Sequence, residues 1–476
     1  MGACTPASPF RWRAIAPASG STVTSARPRL RWTGTGTDSF TRIQICADRG
    51  CRTVAADFLS AGSEATPPSD LPPGYWFWRL RPATGSEFDW TSPWLLRVRR
   101  RAPGYAPIAN TAAAGFSDYD GDGYPDFAMF ADLAAYVYFG GPDGLSDARG
   151  VRLDGVGTVG GNIFLDPGTD INGDGFTDFA STRALAVEGQ SWPQWVAWIE
   201  FGSLTGFRSV TATSAFVEVI NGYYPLWIGE PGGLGDFDGD GYGDLIVTMR
   251  YGAAMIRGCA PAPDRSRWGS FACGNCQMQQ VATGDFDGDG RSDVVYADGS
   301  GIRVYAGNPM AIGGVAFAGS GGVTVIDFNY DGYADLLVRR GSDDTLEAHE
   351  GGPVALAPAA SEAPQPPPFL LAGDFDGDGW WDTIASSATG SRPLTAEIAY
   401  GGPGGWGAPP ARTAALDRAI VNIPAAVVDL NADGYDDVLI DGPSPGETSF
   451  YAGSPAGLAT SPTTIVAREP VTASAR

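Results

Sequence analysis

The most informative part of this sequence is Asp285-Phe286-Asp287-Gly288-Asp289-Gly290-Arg291-Ser292-Asp293, which has the pattern D-x-D-x-D-G-x-x-D. Aspartates stand at its positions 1, 3, 5 and 9, and their carboxylates can converge on one hard cation. The glycine at position 6 lets the backbone turn sharply, because glycine tolerates positive φ. The residue at position 7 can add its backbone carbonyl oxygen, as in other oxygen-rich calcium loops. The stretch therefore predicts a calcium-binding loop.

Seven copies of this pattern, called loops 1 to 7 here, follow one another along the chain. They begin at Asp118, Asp170, Asp236, Asp285, Asp327, Asp374 and Asp429, so successive starts lie 52, 66, 49, 42, 47 and 55 residues apart. A period of about 50 residues is in the range of a propeller blade. We therefore predict up to seven calcium ions, one for each loop.

The predicted ligands are the side chains at positions 1, 3, 5 and 9 and the backbone carbonyl at position 7. They are Asp118, Asp120, Asp122, Tyr124 and Asp126; Asp170, Asn172, Asp174, Phe176 and Asp178; Asp236, Asp238, Asp240, Tyr242 and Asp244; Asp285, Asp287, Asp289, Arg291 and Asp293; Asp327, Asn329, Asp331, Tyr333 and Asp335; Asp374, Asp376, Asp378, Trp380 and Asp382; Asp429, Asn431, Asp433, Tyr435 and Asp437. Loops 2, 5 and 7 have asparagine at position 3, which ligates through its carbonyl oxygen but carries no charge. We expect these three loops to bind calcium more weakly.

The residues around the loops favour strands and exclude an EF-hand. An EF-hand needs a glutamate at position 12, where the first three loops have Met129, Ser181 and Val247. The residue at position 2 is large and mostly apolar. Because successive side chains of an extended backbone point to opposite sides, its side chain is expected to pack between the strands, away from the ligands. Short apolar runs, which suit strands better than helices, follow most loops. These runs are 127–130, 245–247, 294–296, 336–338 and 438–440.

The repeats resemble FG-GAP repeats, which are also described as integrin α-like or VCBS-like. In these repeats an aromatic-Gly turn follows the strand after the loop, and this chain has such turns at Phe139-Gly140, Phe201-Gly202, Tyr305-Ala306-Gly307, Tyr400-Gly401 and Tyr451-Ala452-Gly453. Looser copies lie around Tyr251-Gly252 and His349-Glu350-Gly351. The resemblance extends from about Ala106 to the end of the chain. It implies an all-β, seven-bladed β-propeller over residues 105–476, in which calcium is structural.

Residues 9–102 have a different pattern, and residues 1–8 are interpreted as an N-terminal tether. Strands are predicted at 29–32, 41–45, 75–80 and 95–98, with a Pro-Gly turn ahead of the third. Their order resembles a fibronectin type III-like or immunoglobulin-like β-sandwich. Residues 99–104 are interpreted as a linker. Its three arginines, Arg99-Arg100-Arg101, are expected to be solvated, and packing against the acidic repeats is the alternative. Repeat 1 is predicted to span about 105–155, and repeat 2 about 156–215.

The composition limits the class of partner. The net charge is −23, which disfavours a nucleic-acid partner. Positions 1, 3, 5 and 9 of the loops hold 25 aspartates, and seven divalent ions would leave a charge of about −9. The sequence has no run of about 18 apolar residues, so no transmembrane span is predicted.

The cysteines indicate an oxidising compartment. Cys46 and Cys51 flank a turn-like tetrapeptide, so a disulfide across a hairpin is predicted. Cys259 is predicted to pair with Cys273 or Cys276, whose C-x-x-C spacing could otherwise suggest redox or zinc chemistry. Gly-Ala-Cys4 resembles the end of a bacterial lipoprotein signal, and an ordinary cysteine is the alternative. A secreted or cell-surface protein, with a possible lipid anchor at Cys4, is the resulting prediction.

An enzyme is not predicted. The single histidine, His349, is expected to have a surface or structural role. The stretch Gly442-Pro443-Ser444-Pro445-Gly446 has two prolines and no helix after it, which disfavours a nucleophile elbow. The resemblance implies adhesion or ligand binding through loops of the propeller, with a surface protein or a glycan as ligand. We predict an adhesion or protein-interaction module. A calcium-dependent lectin is the alternative, and a secreted polysaccharide-active enzyme is less favoured. Aromatic residues that could stack on sugars are Trp192, Trp195, Trp198, Trp227, Trp268, Trp406, Tyr223 and Tyr224.

Overall fold

A computed structural model gives the fold of the chain. It describes residues 12–34, 40–104, 112–131, 134–145, 150–154, 162–164, 169–185, 194–207, 215–218, 231–249, 252–260, 269–272, 278–298, 301–307, 315–317, 323–339, 346–353, 356–358, 369–386, 396–403, 410–417, 425–441 and 447–467. The described residues form strands and turns, with one short 3-10 turn at Glu87–Asp89. The predicted all-β fold is confirmed.

Two sheets form the N-terminal part, which we call the N-terminal sheet pair. Their strands are β1 (Trp12–Ala16), β2 (Ser21–Val23), β3 (Leu30–Gly34), β4 (Phe40–Cys46), β5 (Val54–Ala61), β6 (Glu64–Ala65), β7 (Gly74–Pro82), β8 (Trp94–Val98) and β9 (Ala112–Gly115). One sheet has the order β1-β3-β6, and the other has the order β5-β4-β7-β8-β2-β9. The four strands predicted from sequence coincide with β3, β4, β7 and β8.

Aromatic and branched side chains fill the core of the N-terminal sheet pair. Strand β4 alternates buried and half-buried residues, so that Ile43 and Ile45 are fully covered. They belong to one cluster with Trp32, Trp78 and Trp94. The rings of Trp78 and Trp94 meet edge to face, with their centroids 6.0 Å apart. These tryptophans therefore have a packing role.

The predicted disulfide between Cys46 and Cys51 is present. It joins the end of β4 to the turn that precedes β5, with the two Cα atoms 5.1 Å apart. Cys259 is also disulfide-bonded. Cys4, Cys273 and Cys276, including the predicted partners of Cys259, lie outside the described residues.

Seven successive sheets, called repeat sheets 1 to 7, follow the N-terminal sheet pair. Six have four strands and the second has three, and all pairings are antiparallel. Their strands are β10 (Phe127–Ala131), β11 (Ala134–Tyr138), β12 (Gly150–Asp154) and β13 (Asn162–Phe164); β14 (Phe179–Leu185), β15 (Gln194–Glu200) and β16 (Ala215–Glu218); β17 (Pro231–Gly235), β18 (Asp244–Met249), β19 (Gly252–Ile256) and β20 (Gly269–Ala272); β21 (Met278–Gly284), β22 (Asp293–Asp298), β23 (Gly301–Tyr305) and β24 (Val315–Phe317); β25 (Val323–Ile326), β26 (Asp335–Arg339), β27 (Leu346–Glu350) and β28 (Ala357–Pro358); β29 (Phe369–Gly373), β30 (Asp382–Ser386), β31 (Ala396–Tyr400) and β32 (Arg412–Ala415); β33 (Ala425–Val428), β34 (Asp437–Asp441), β35 (Glu447–Tyr451) and β36 (Thr464–Ala467). The five apolar runs predicted as strands all lie in strands.

The first repeat departs from the predicted span of about 105–155. Strand β9, which precedes loop 1, pairs with β2 of the N-terminal sheet pair and also packs against β21 and β25. The free edge of β10 is instead taken by β13, from the segment assigned to repeat 2. This exchange explains why repeat sheet 2 has three described strands. Backbone hydrogen bonds between β9 and β2 also hold the segment before loop 1 to the N-terminal sheet pair.

Adjacent repeat sheets pack against each other through their first strands. Strand β17 packs on β21, β21 on β25, and β29 on β33, while β13 of repeat sheet 1 packs on β33 of repeat sheet 7. One buried cluster contains Phe127 and Tyr138 of repeat sheet 1 with Leu439 and Phe450 of repeat sheet 7. Among the described strands the sheets stay separate, and no closed sheet is formed.

Candidate metal centres

Each loop is shaped by hydrogen bonds from its own backbone to its own aspartates. In loop 4, Asp285 Oδ2 accepts from Gly290 N at 2.9 Å, and Asp287 Oδ1 accepts from Asp289 N at 3.0 Å. Asp289 Oδ1 accepts from Arg291 N at 2.8 Å. The same three bonds recur in all of the other loops. The loops therefore share one backbone path, along which the acidic side chains turn inward.

Two positions of each loop adopt the left-handed backbone conformation. In loop 4 these are Gly288 at position 4 and Gly290 at position 6, with φ of 75° and 83°. Position 6 is glycine in every loop, as the sequence predicts. Tyr330 in loop 5 and Ala432 in loop 7 stand at position 4 with φ of 63° and 56°. At these two residues the backbone adopts a conformation that favours glycine.

The aspartate at position 9 joins its loop to a distant turn. Asp293 Oδ2 accepts from Phe286 N at 2.8 Å, and Asp293 Oδ1 accepts from Gly307 N at 2.6 Å. Equivalent pairs of bonds occur in the other six loops. The glycine of the aromatic-Gly turn is thus the donor that each position 9 carboxylate requires. Both oxygens of this carboxylate have a structural role besides any metal contact.

This bond corrects the placement of the third turn. The sequence placed it around Tyr251-Gly252, but Asp244 Oδ1 accepts from Gly258 N at 2.9 Å. Arg257 precedes this glycine, where other repeats have an aromatic residue. The aromatic-Gly pattern therefore could not identify this turn. In the fifth repeat the donor is Gly351, in agreement with the sequence.

Four loops bring three carboxylates close enough to hold one metal ion. In each group one oxygen from every residue lies within 4.8 Å of the others. The groups are Asp118, Asp120 and Asp122; Asp236, Asp238 and Asp244; Asp285, Asp287 and Asp289; Asp374, Asp376 and Asp382. The other three loops are those with asparagine at position 3. Loops 1 and 4 thus bring together the predicted ligands at positions 1, 3 and 5, and loops 3 and 6 bring together those at positions 1, 3 and 9.

Unpartnered oxygen atoms fit a cation at these loops. The Oδ1 atoms of Asp118, Asp327 and Asp374, all at position 1, are buried and have no hydrogen-bond partner among the described residues. A buried carboxylate oxygen without a donor is costly, and a bound cation removes that cost. Oxygen-only donor sets of this kind suit hard divalent cations. The residues present therefore fit a metal ion.

Burial and mutual repulsion raise the pKa values of the loop carboxylates. Burial, and then Asp122, raises the pKa of Asp118 to about 8. Burial, and then Asp293, raises the pKa of Asp285 to about 8. Burial, and then Asp240, raises the pKa of Asp236 to about 7. Crowded carboxylates of this kind bind protons when no metal ion balances their charge.

The residues at positions 2 and 7 pack the loops against their neighbours. All seven position 2 side chains are buried, as alternation predicts: Tyr119, Ile171, Phe237, Phe286, Phe328, Phe375 and Leu430. At position 7, the Phe176 ring lies against Gly121 of loop 1, and the Tyr242 ring lies against Gly173 of loop 2. A side chain at either glycine would overlap with the neighbouring ring. Glycine at position 4 therefore serves contact between loops as well as backbone conformation.

Position 8 has a role that sequence reasoning missed. Thr177 Oγ1 of loop 2 accepts from Asp118 N of loop 1 at 2.6 Å. Asp436 Oδ2 of loop 7 accepts from Asp374 N of loop 6 at 2.8 Å. Loops 5 and 6 are joined differently, because Trp381 Nε1 donates to Asp327 O at 2.6 Å. No repeated residue type marks position 8, so the pattern carried no signal for these contacts.

The N-terminal sheet pair contacts the loops through arginines. Arg31 Nη2 donates to Gly290 O of loop 4 at 2.9 Å, and Arg49 Nη1 donates to Gly175 O of loop 2 at 2.9 Å. The guanidinium of Arg49 also lies 3.5 Å from the centre of the Phe176 ring. Arg13 lies over Tyr242 of loop 3 in the same way, at 4.1 Å. These contacts attach the N-terminal sheet pair to the side of the repeats where the loops lie.

The interpretation of residues 99–101 as a solvated linker is wrong for two of the three arginines. Arg99 is buried, and its guanidinium lies 3.2 Å from the centre of the Trp381 ring. Arg100 is half-buried, 5.5 Å from the centre of the Tyr435 ring, and Arg101 is exposed. Stacking on aromatic rings and attraction to the acidic loops outweigh the solvation of these two side chains.

The other candidate residues lie apart from the loops or outside the described structure. His349 is buried in β27, with an exposed fraction of 1%. Trp195 and Trp198 lie in β15, where their side chains are not described. The remaining aromatic candidates (Trp192, Trp227, Trp268, Trp406, Tyr223 and Tyr224), the stretch 442–446 and Cys4 lie outside the described residues.

Comparison with known families supports the repeat assignment. The family described as FG-GAP-like repeat matches residues 285–338, which span loop 4 to the strand after loop 5. A search of curated proteins finds no significant match. Within the described residues no helix is long and apolar enough to cross a membrane. Residues 285–338 are thus similar to an FG-GAP-like repeat, and the hydrogen-bond pattern of loop 4 recurs in the other six loops.

Proposed function

We propose that the protein is a calcium-binding, seven-bladed β-propeller that serves as an extracellular interaction module. The observation that carries this proposal is the identical hydrogen-bond pattern of seven acidic loops, each tied to a turn glycine. The seven repeat sheets would close into a ring, and contact between repeat sheets 1 and 7 supports that closure. A ring of blades buries both faces of each sheet and protects the strand edges.

Calcium is the proposed ion because of the donor set. Three or four carboxylate oxygens and a carbonyl oxygen suit the six to eight ligands of calcium better than octahedral magnesium. Bound calcium would offset the repulsion between crowded carboxylates and hold each loop to its turn. The aspartate at position 9, Asp293 in loop 4, also holds its loop to the turn through its two hydrogen bonds. The ion is therefore structural in this proposal and takes no part in a reaction.

A non-catalytic binding role is the proposed activity, with a surface protein or a glycan as partner. The Cys46–Cys51 disulfide supports an oxidising compartment, in which extracellular calcium is plentiful. The secreted or surface location, and the lipid anchor at Cys4, remain parts of the proposal.

A binding screen of the full chain, with and without chelator, tests the proposal. The calcium-loaded protein is applied to a glycan array and to a panel of cell-surface proteins. Calcium-dependent binding to a surface protein supports the adhesion module, whereas binding to a defined sugar identifies a lectin. Failure of the folded protein to bind calcium, measured by calorimetry, contradicts the proposal at its first step.

A further inference from the structure

Loop 7 differs from the other six loops at position 8. It has Asp436 there, while the others have uncharged residues: Pro125, Thr177, Gly243, Ser292, Ala334 and Trp381. The Asp436 carboxylate is almost fully buried, beside the equally buried Asp429 at position 1. Loop 7 therefore gathers an extra acid in a place where water cannot solvate it.

A cation of the chain itself reaches this acid. The Nη2 atom of Arg97, in β8 of the N-terminal sheet pair, lies 2.7 Å from Asp436 Oδ1 and 3.6 Å from Asp429 Oδ2. The Arg97 side chain is 11% exposed, and those of Asp436 and Asp429 are 5% and 0% exposed. A guanidinium keeps its charge when it is buried and can contact two carboxylates at once. Arg97 thus sits between the two acids as a shared counter-ion.

The ligand atoms of loop 7 are also occupied. Asp429 Oδ1 accepts from Asp433 N, and Asp429 Oδ2 accepts from Gly434 N, each at 3.0 Å. Loops 1, 5 and 6 differ, because the Oδ1 atom of their position 1 aspartate has no partner among the described residues. Asn431 supplies no charge at position 3, and its Nδ2 donates to Asp433 Oδ2 at 2.9 Å. Loop 7 therefore has fewer free acceptors than loops 1, 5 and 6. Loops 2, 3 and 4 also have an occupied Oδ1 at position 1, and loops 2 and 5 have the same asparagine bond. The contact with Arg97 is what distinguishes loop 7 from these loops.

A second contact holds the same strand pair to loop 7. Tyr75 Oη, in β7, donates to the backbone carbonyl of Asp429 at 3.0 Å. The guanidinium of Arg97 lies 5.7 Å from the centre of the Tyr75 ring. Strands β7 and β8 are neighbours, so these two side chains approach loop 7 from one surface. The position of Arg97 is thus built by the sheet and does not depend on a flexible surface side chain.

We propose that Arg97 is the resident cation of loop 7, so that this loop joins the two parts of the chain and takes no calcium ion. This inference rests on the proposed calcium function of the other loops, and it lowers the expected number of ions to six at most. A calcium ion bound to Asp429 would be placed beside a buried guanidinium that cannot lose its charge. Repulsion between the two cations disfavours that state as long as the N-terminal sheet pair remains in place.

Counting bound ions tests the assignment. Native mass spectrometry of the full chain, at saturating calcium, gives the number of ions for wild type, Arg97→Gln and the control Arg42→Gln. Arg42 pairs with Asp57 on the exposed side of β4 and β5. We expect Arg97→Gln to bind one ion more than wild type and Arg42→Gln to bind the same number. Equal numbers for wild type and folded Arg97→Gln overturn the assignment.

If Arg97→Gln fails to fold, a crystal structure of the calcium-loaded wild type tests whether loop 7 binds calcium. Anomalous density in other loops, with none at coordination distance from the Asp429 oxygens, supports the assignment. An ion on Asp429 overturns it and leaves the proposed function standing. A wild type that binds no calcium in any loop overturns both, so the two failures are distinguishable.

Discussion

Asp293 accepts a 2.6 Å hydrogen bond from the backbone of Gly307, fourteen residues further along the chain. The same carboxylate accepts from Phe286 N at the start of loop 4. One side chain therefore holds the loop, the strand after it and the next turn in fixed register. Because all seven repeats have this bond, the aspartate at position 9 is a structural element even when no metal is bound.

Asp293→Asn should lower stability whether or not calcium is present. An amide can replace only one of the two acceptor oxygens, so one buried N–H loses its partner at a cost of about 1–3 kcal/mol. Asp289→Asn is the matched control, because its partly exposed side chain can still accept from Arg291 N through the amide oxygen. We expect the control to lower the melting temperature in calcium and to have little effect in chelator. Equal losses for the two variants in chelator would contradict the structural role of Asp293.

Removal of calcium should lower the melting temperature of the whole chain. At about ten times its dissociation constant, each ion adds roughly 1.4 kcal/mol to the free energy of unfolding. Calorimetric scans with calcium, with magnesium and with chelator measure the effect, and magnesium should restore less of the stability than calcium. An unchanged melting temperature in chelator would show that the loops are stable without metal.

The metal-free protein should lose stability as the pH rises from about 4 to about 8. Burial and neighbouring carboxylates raise the folded-state pKa values of Asp118 and Asp285 to about 8, above the ordinary value of an unfolded aspartate. A group with a raised folded pKa contributes stability that is full below the unfolded pKa and is lost as the pH rises through the folded pKa. Urea titrations in chelator at several pH values measure this slope. Saturating calcium should remove or reverse it, since the ion competes with the protons for the same oxygens.

Much of the repeat structure could be predicted from sequence because the loops need particular residues at fixed positions. Loop 4 shows this well, since carboxylates at positions 1, 3, 5 and 9 and glycine at position 6 have no simpler joint explanation. The turn at Gly258 could not be found in the same way, because the structure needs its backbone N–H and sets no requirement on the preceding Arg257. Short-range patterns therefore predicted the loops better than the turns.

Contacts between distant segments could not be predicted from the sequence. The pairing of β9 with β2, and the entry of β13 into repeat sheet 1, depend on which strand edge is nearest in the folded chain. The contact of Arg97 with Asp436 joins residues that are far apart in sequence and share no motif. A run of arginines has the same pattern whether it is solvated or packed on aromatic rings. The structure was needed to distinguish these outcomes.

Ala432→Gly should stabilise the protein. Ala432 occupies position 4 of loop 7 with φ of 56°, where five other loops have glycine. A left-handed conformation costs a residue with a Cβ about 1 kcal/mol, and glycine removes this cost at the expense of some backbone entropy in the unfolded state. Ala452→Gly is the control, because Ala452 is not among the residues with positive φ. It should lose stability through the entropy change and through the lost packing of its methyl group against a buried cluster. Chemical denaturation of both variants in calcium gives the two differences in free energy of unfolding. A loss of stability in Ala432→Gly as large as that in Ala452→Gly would mean that the left-handed conformation at position 4 costs alanine nothing in this loop.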